Sequence, residues 1–124
     1  MLQISPEQWV KLSTQAADQF IDELTRMAAT AYPEVVWMKG AAGLRQLVQS
    51  YLEEARCYGL SYEYTLGRYT YWRLDHGDEA LTDPEWQFFR DILEDDTLTE
   101  LEKVFEIDTL LYGAPLYPEG WDHE

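Results

Sequence analysis

After a break at Gly40, the residues Leu44, Leu47, Val48, Tyr51, Leu52 and Ala55 recur at intervals of three and four, so on a helix they form one apolar stripe. Gly59 follows where a left-handed C-terminal cap would close that helix. A helix of this length with one apolar face has to bury that face against a neighbour, which makes a helical assembly the fold to expect.

The flanking sequence supplies the neighbours. Ser5 as N-cap, Pro6 at the first helical position and Glu7 and Gln8 in the first turn open an earlier helix. Ala17, Phe20, Leu24, Met27, Ala28 and Ala31 recur along it at helical spacing, and Pro33 stops it near Tyr32, after about seven turns. A third helix is expected from a Ser61 cap, with Glu63 in its first turn, to about Leu74, before His76-Gly77-Asp78 breaks it. Its rings, Tyr62, Tyr64, Tyr69, Tyr71 and Trp72, spread around the circumference. Their β-propensity leaves a strand open, and helix is preferred because no strand partner is visible. Asp83-Pro84-Glu85 starts a short fourth helix with Trp86, Phe89, Ile92 and Leu93, and Asp95-Asp96 begins the next junction. A fifth spans about Leu98 to Tyr112 and ends at Gly113 and Pro115. The expected fold is all-α: a compact single-domain bundle of four to six helices over residues 1–124, with an irregular acidic tail over about 114–124.

A chain of 124 residues holds one core and is too short for two. Apolar residues make up 46%, enough to fold without help. The start, MLQISPEQW, lacks a basic stretch followed by an apolar run, and no stretch of about 18 apolar residues occurs, so neither a secretory leader nor a membrane span is expected. The single cysteine, Cys57, has no partner for an internal disulfide and fits a reducing compartment, so a cytoplasmic location is expected. The formal net charge of −15 is larger than solubility requires, and it is unevenly placed. Residues 1–74 hold 8 acids and 7 bases, whereas residues 75–124 hold 16 acids and 2 bases. Such a half repels phosphate backbones and anionic lipid, and attracts basic partners. Nucleic acid and membrane are therefore disfavoured as partners.

Few patterns suggest chemistry. Asp75, Asp78, Glu79 and Asp83 resemble a calcium loop only superficially, because Gly77 falls at the third ligand position, Ala80 where the loop needs glycine, and Trp86 where a bidentate Glu should close it. His76 and His123 lie far apart with no zinc-type spacing. Cys57 has no signature of a catalytic thiol. Carboxylate pairs such as Glu53-Glu54, Asp91 with Glu94 and Asp95, and Glu102 with Glu106 arise from acidic composition alone, and the glycines form no nucleotide-binding loop. No catalytic, cofactor-binding or metal-binding residue is assigned. The aromatic content of 15%, with five Trp, nine Tyr and four Phe, exceeds what one small helical core holds, so some rings are expected at the surface as interface anchors.

Gly43-Leu44-Arg45, Ala55-Arg56, Tyr58-Gly59-Leu60, Glu63 and Arg68-Tyr69, followed by Gly77, Trp86 and Ile92-Leu93, resemble a set of small helical bacterial proteins with an RA-x-x-YG-(I/L)-x-x-E-x-x-x-x-RY core. Members of that set are encoded in type VI secretion clusters beside toxic effectors. The resemblance covers roughly residues 5–100, and the chain departs from the set at Cys57, where Arg is expected, and in its aromatic-rich third helix. It implies a small accessory partner of an effector, either an immunity protein or a loading adaptor, and it assigns no binding residue.

Charge, aromatics and resemblance together point to a non-enzymatic domain that binds a basic toxin or effector. The contact residues expected are Asp91, Glu94, Asp95, Asp96, Glu100 and Glu102, around the junction of the last two helices, with Trp86 and Tyr112 as anchors.

Overall fold

A computed structural model describes residues 14–114; the Ser5 cap and the tail from Pro115 lie outside the described residues. Six helices follow in order: α1 (Thr14–Ala31), α2 (Pro33–Cys57), α3 (Glu63–His76), α4 (Glu79–Thr82), α5 (Gln87–Leu93) and α6 (Glu100–Tyr112), with a 3-10 turn at Pro84–Trp86 before α5. Helix accounts for 83% of the described residues and none of them is in a strand, which fixes the all-α class. The aromatic segment that left a strand open is the helix α3.

Two boundaries differ from expectation for identifiable reasons. Proline is well suited to a first helical position, so Pro33 both ends α1 and starts α2, with only Tyr32 between them. Gly40 does not separate two helices by a loop but kinks α2, at φ 76° and ψ 168°, a region essentially reserved for glycine. The short α4 falls within the run Asp75–Asp83 that sequence reads as a plain acidic loop.

Helix α3 is the centre of the bundle. Eight of its fourteen residues are buried, and it touches α1, α2, α4 and α6. The predicted α2 stripe packs against it: Leu44, Val48, Tyr51, Leu52 and Ala55 are all buried, joined by Phe20, Leu24 and Ala28 of α1. The rest of the core comes from Phe89 and Leu93 of α5 and Val104 and Ile107 of α6. Tyr69, Trp72 and Phe89 meet at the middle, with ring centroids 5.6–6.3 Å apart; Trp72 is edge-on to both other rings, and Tyr69 stacks on Phe89. Much of the aromatic content read as surplus therefore lies in the core, because a helix surrounded by neighbours buries large rings on every side.

Candidate functional site

The hairpin of α5 and α6 carries the predicted acidic contact residues. The turn between the two helices is built by its own acids. Asp95 accepts from the Thr97 amide at 2.9 Å and from its hydroxyl at 2.6 Å, and these bonds hold the Asp95 carboxyl below its ordinary range. Thr99 caps α6 by accepting from the Glu102 amide, and the Glu102 carboxylate accepts from the Thr99 amide in return. That bonding lowers the Glu102 carboxyl as well.

Glu100 is turned inward from the acidic face. Its carboxylate accepts from the amides of Ser61 and Tyr62 and from the hydroxyls of Ser61 and Thr65, which makes it the cap of α3. Ser61 itself does not cap α3: the N-cap position is Tyr62, and the capping oxygens come from Glu100, 38 residues further along the chain, rather than from a neighbour. Of the predicted acids, Asp91, Glu94, Asp96 and Glu102 are exposed; Asp91 accepts from Gln87 one turn before it.

Neither of the two bases of residues 75–124 makes an ion pair among the described residues, although the Lys103 charge helps to hold the Asp95 carboxyl low. Arg90 donates to the carbonyls of Ala80 and Asp83 and to the Gln87 side chain. Lys103 is buried and donates to the Leu93 carbonyl at 2.8 Å, closing the C-terminus of α5. Ion pairs among the described residues are made by Arg45, Arg68 and Arg73, all in the balanced part of the chain.

The expected anchors Trp86 and Tyr112 do come together, around one shared neighbour. His76 joins them, with its ring 4.6 Å from Trp86 and 6.4 Å from Tyr112. Asp75 accepts from the hydroxyls of both Tyr32 and Tyr112, which fastens the α1–α2 junction and the end of α6 to the end of α3. Burial and the Asp75 carboxylate push both phenols far above their ordinary range, so they remain neutral donors. At 1.5 Å per residue, Tyr112 lies about 18 Å along α6 from Glu100, whereas Trp86 stands only five residues before Asp91 on α5.

Sequence reading missed the buried polar network of α3. Asp108, fully buried on α6, accepts from Arg68 at 2.9 and 3.2 Å and from the Trp72 indole at 2.8 Å. Burial works against the Arg68 charge, and the Asp108 carboxylate more than offsets it. On the other side of α3, Arg73 lies over the Tyr51 ring and pairs with Glu54 at 2.9 Å, while Glu54 also accepts from Tyr69 at 2.8 Å. The available signal was the placement of Arg68, Arg73 and Asp108 among apolar residues at helical spacing.

Among the described residues no buried side-chain polar atom lacks a partner, and no group of three or more His, Cys, Asp and Glu could hold a metal ion. The run Asp75–Asp83 is divided among separate partners: Asp75 with two tyrosines, Asp78 with Arg73, and Asp83 with the Glu85 amide. Cys57 is an exposed free thiol. No helix among the described residues is long and apolar enough to cross a membrane.

Comparison with protein-family models, curated proteins and solved structures gives no match. The residues that carry the resemblance to secretion-associated proteins are mostly structural. Gly59, at φ 86°, ends α2, Leu60 is buried behind it, and Arg68 and Tyr69 belong to the buried network. A motif of that kind reports how a chain packs.

Proposed function

We propose that this chain is a non-enzymatic protein-binding domain that recognises a basic partner through the α5–α6 hairpin. The reading we favour is a cytoplasmic immunity protein that occludes a cationic effector of a type VI secretion system. The observation that carries it is the acidic surface of the hairpin: Asp91, Glu94 and Asp96 stand exposed, and among the described residues neither Arg90 nor Lys103 makes an ion pair with them. An enzyme that grips phosphates presents a basic cleft, and an uncompensated acidic surface complements such a cleft and speeds encounter with it.

The test is survival. Cells that express the effector encoded beside this chain should live when the chain is co-expressed and die without it, and charge-reversed Asp91, Glu94 and Asp96 should lose protection while the protein stays folded. Equal death with and without the chain excludes immunity. The second reading, an adaptor that holds an effector for loading, is favoured by the exposed Trp37 and Met38. In that case deletion abolishes delivery of the effector and leaves the producing cell alive.

A further inference from the structure

Helix α2 changes phase at Gly40. Beyond it, Leu44, Val48, Tyr51, Leu52 and Ala55 form the buried stripe. At about 3.6 residues per turn, an unbroken helix places Trp37 about two turns before Leu44 and about five before Ala55, in the middle of that stripe, and turns Val35 almost directly away from it. The structure does the reverse. Val35 and Val36 pack against the core, while Trp37 is 90% exposed and Met38 76%. The reset comes from Gly40, whose φ of 76° and ψ of 168° are not helical.

Two glycines permit that reset, each in its own way. At Gly40 a Cβ would meet nothing within 4 Å, so only the backbone conformation bars another residue. At Gly43 the bar is contact: a Cβ there would stand 2.9 Å from the Lys39 Cβ, where a regular helix keeps side chains at this spacing about 5–6 Å apart. Alanine is therefore excluded at both positions from the kinked helix and favoured at both in a straight one. The arm is also pinned at its base, because Tyr32, the one residue between α1 and α2, donates to Asp75 and sets its ring 6.0 Å from that of Tyr71. Opposing these contacts is the exposure of the Trp37 ring, a large apolar area left in water.

We propose that residues 33–39 are an arm with two positions. In the kinked position the valines pack and Trp37 stands outside; straightened through Gly40, the arm continues α2 and Trp37 takes the place of the valines against the core. Each position trades one apolar contact for another, which gives a packed element two discrete states rather than a continuous range. The arm decides whether an indole is displayed at this end of the molecule, and it does so whatever partner the α5–α6 hairpin binds.

The test reads the Trp37 indole N–H by nuclear magnetic resonance in the full isotope-labelled chain, assigned by its loss in Trp37→Phe. In the wild type, relaxation dispersion should show microsecond-to-millisecond exchange at the amides of residues 34–43. Gly40→Ala and Gly43→Ala should each raise the straight form about fivefold or more, and together make it the main one. The indole should then be several-fold less accessible to a soluble paramagnetic agent, and the carbon shifts of residues 38–42 should turn helical. Gln49→Ala, on the exposed side of α2 beyond the kink, is the control and should change neither. A folded double variant whose Trp37 stays as accessible as in the wild type overturns the arm. So does a double variant that cannot fold, since the straight form is then no fold of this chain. A wild type without exchange at residues 34–43 overturns it as well, as does protection of Trp37 that grows with protein concentration, which marks self-association. An equal change in Gln49→Ala overturns the role of the two glycines.

Discussion

Asp108 is a fully buried acid held by two residues, since Arg68 and the Trp72 indole both donate to it in the interior. Asp108→Ala should cost about 3–5 kcal/mol in chemical denaturation, because it leaves a buried guanidinium without its counter-charge. Replacing Arg68 and Asp108 together by Met and Leu should cost less than the single change, as no orphaned charge remains. Glu63 behaves in the opposite sense to the capping acids. Burial and then the nearby Glu23 raise its carboxyl above the ordinary 4.5, so the fold favours its protonated form. A raised group stabilises below its unfolded value, and that contribution is lost as pH climbs through the folded one. Glu63→Gln should therefore gain stability at pH 7, by no more than about 0.5 kcal/mol, and lose that advantage as pH falls past 4.5. Thermal melts of both proteins across that range check the sign. Neither role was legible in the sequence: Glu63 reads as an ordinary first-turn acid, and Asp108 as one acid among sixteen.

At the scale of elements, local chemistry identified the helices and their neighbours determined how they are fastened. The periodic stripe of α2, the proline before it and the glycine after α6 were readable because each acts within one or two turns of itself. The cap of α3 was not, because its oxygens belong to Glu100, on another helix. A sequence window around Ser61 contains a credible cap and gives no sign that a distant one is used. Glu100→Ala should destabilise the fold by about 2–3 kcal/mol, above the usual loss for a single cap, since four donors lose a charged acceptor at once. Hydrogen exchange should quicken first at the amides of residues 61 and 62. The exposure of Asp91, Glu94 and Asp96 follows from local pattern, whereas the turning of Glu100 away from them and the meeting of Trp86 and Tyr112 around His76 depend on tertiary packing.

Across the whole molecule, the charge imbalance is one of composition, sixteen acids to two bases in residues 75–124, and among the described residues neither of those bases makes an ion pair. Added salt should raise the melting temperature, and replacing Asp91, Glu94 and Asp96 by Lys should raise it at low salt and leave it little changed at high salt. The same replacement should slow association with a basic partner. The wild-type on-rate should fall steeply as the screening length shortens from about 30 Å at 0.01 M to about 8 Å at 0.15 M, read by stopped-flow mixing. Reversal at Asp18 and Asp22 is the control in the balanced half; there Arg45 already pairs with both acids, so the effect on partner association should be much smaller. The buried pairs of α3 have a consequence for descent. Glu54 with Arg73, nineteen positions apart, and Arg68 with Asp108, forty apart, each join two helices in the interior, so a lineage can abandon one member only by changing the other with it. Surface residues drift freely by comparison, and a distant cousin of this chain will be recognised by two compensated pairs at those separations after its outward resemblance has gone.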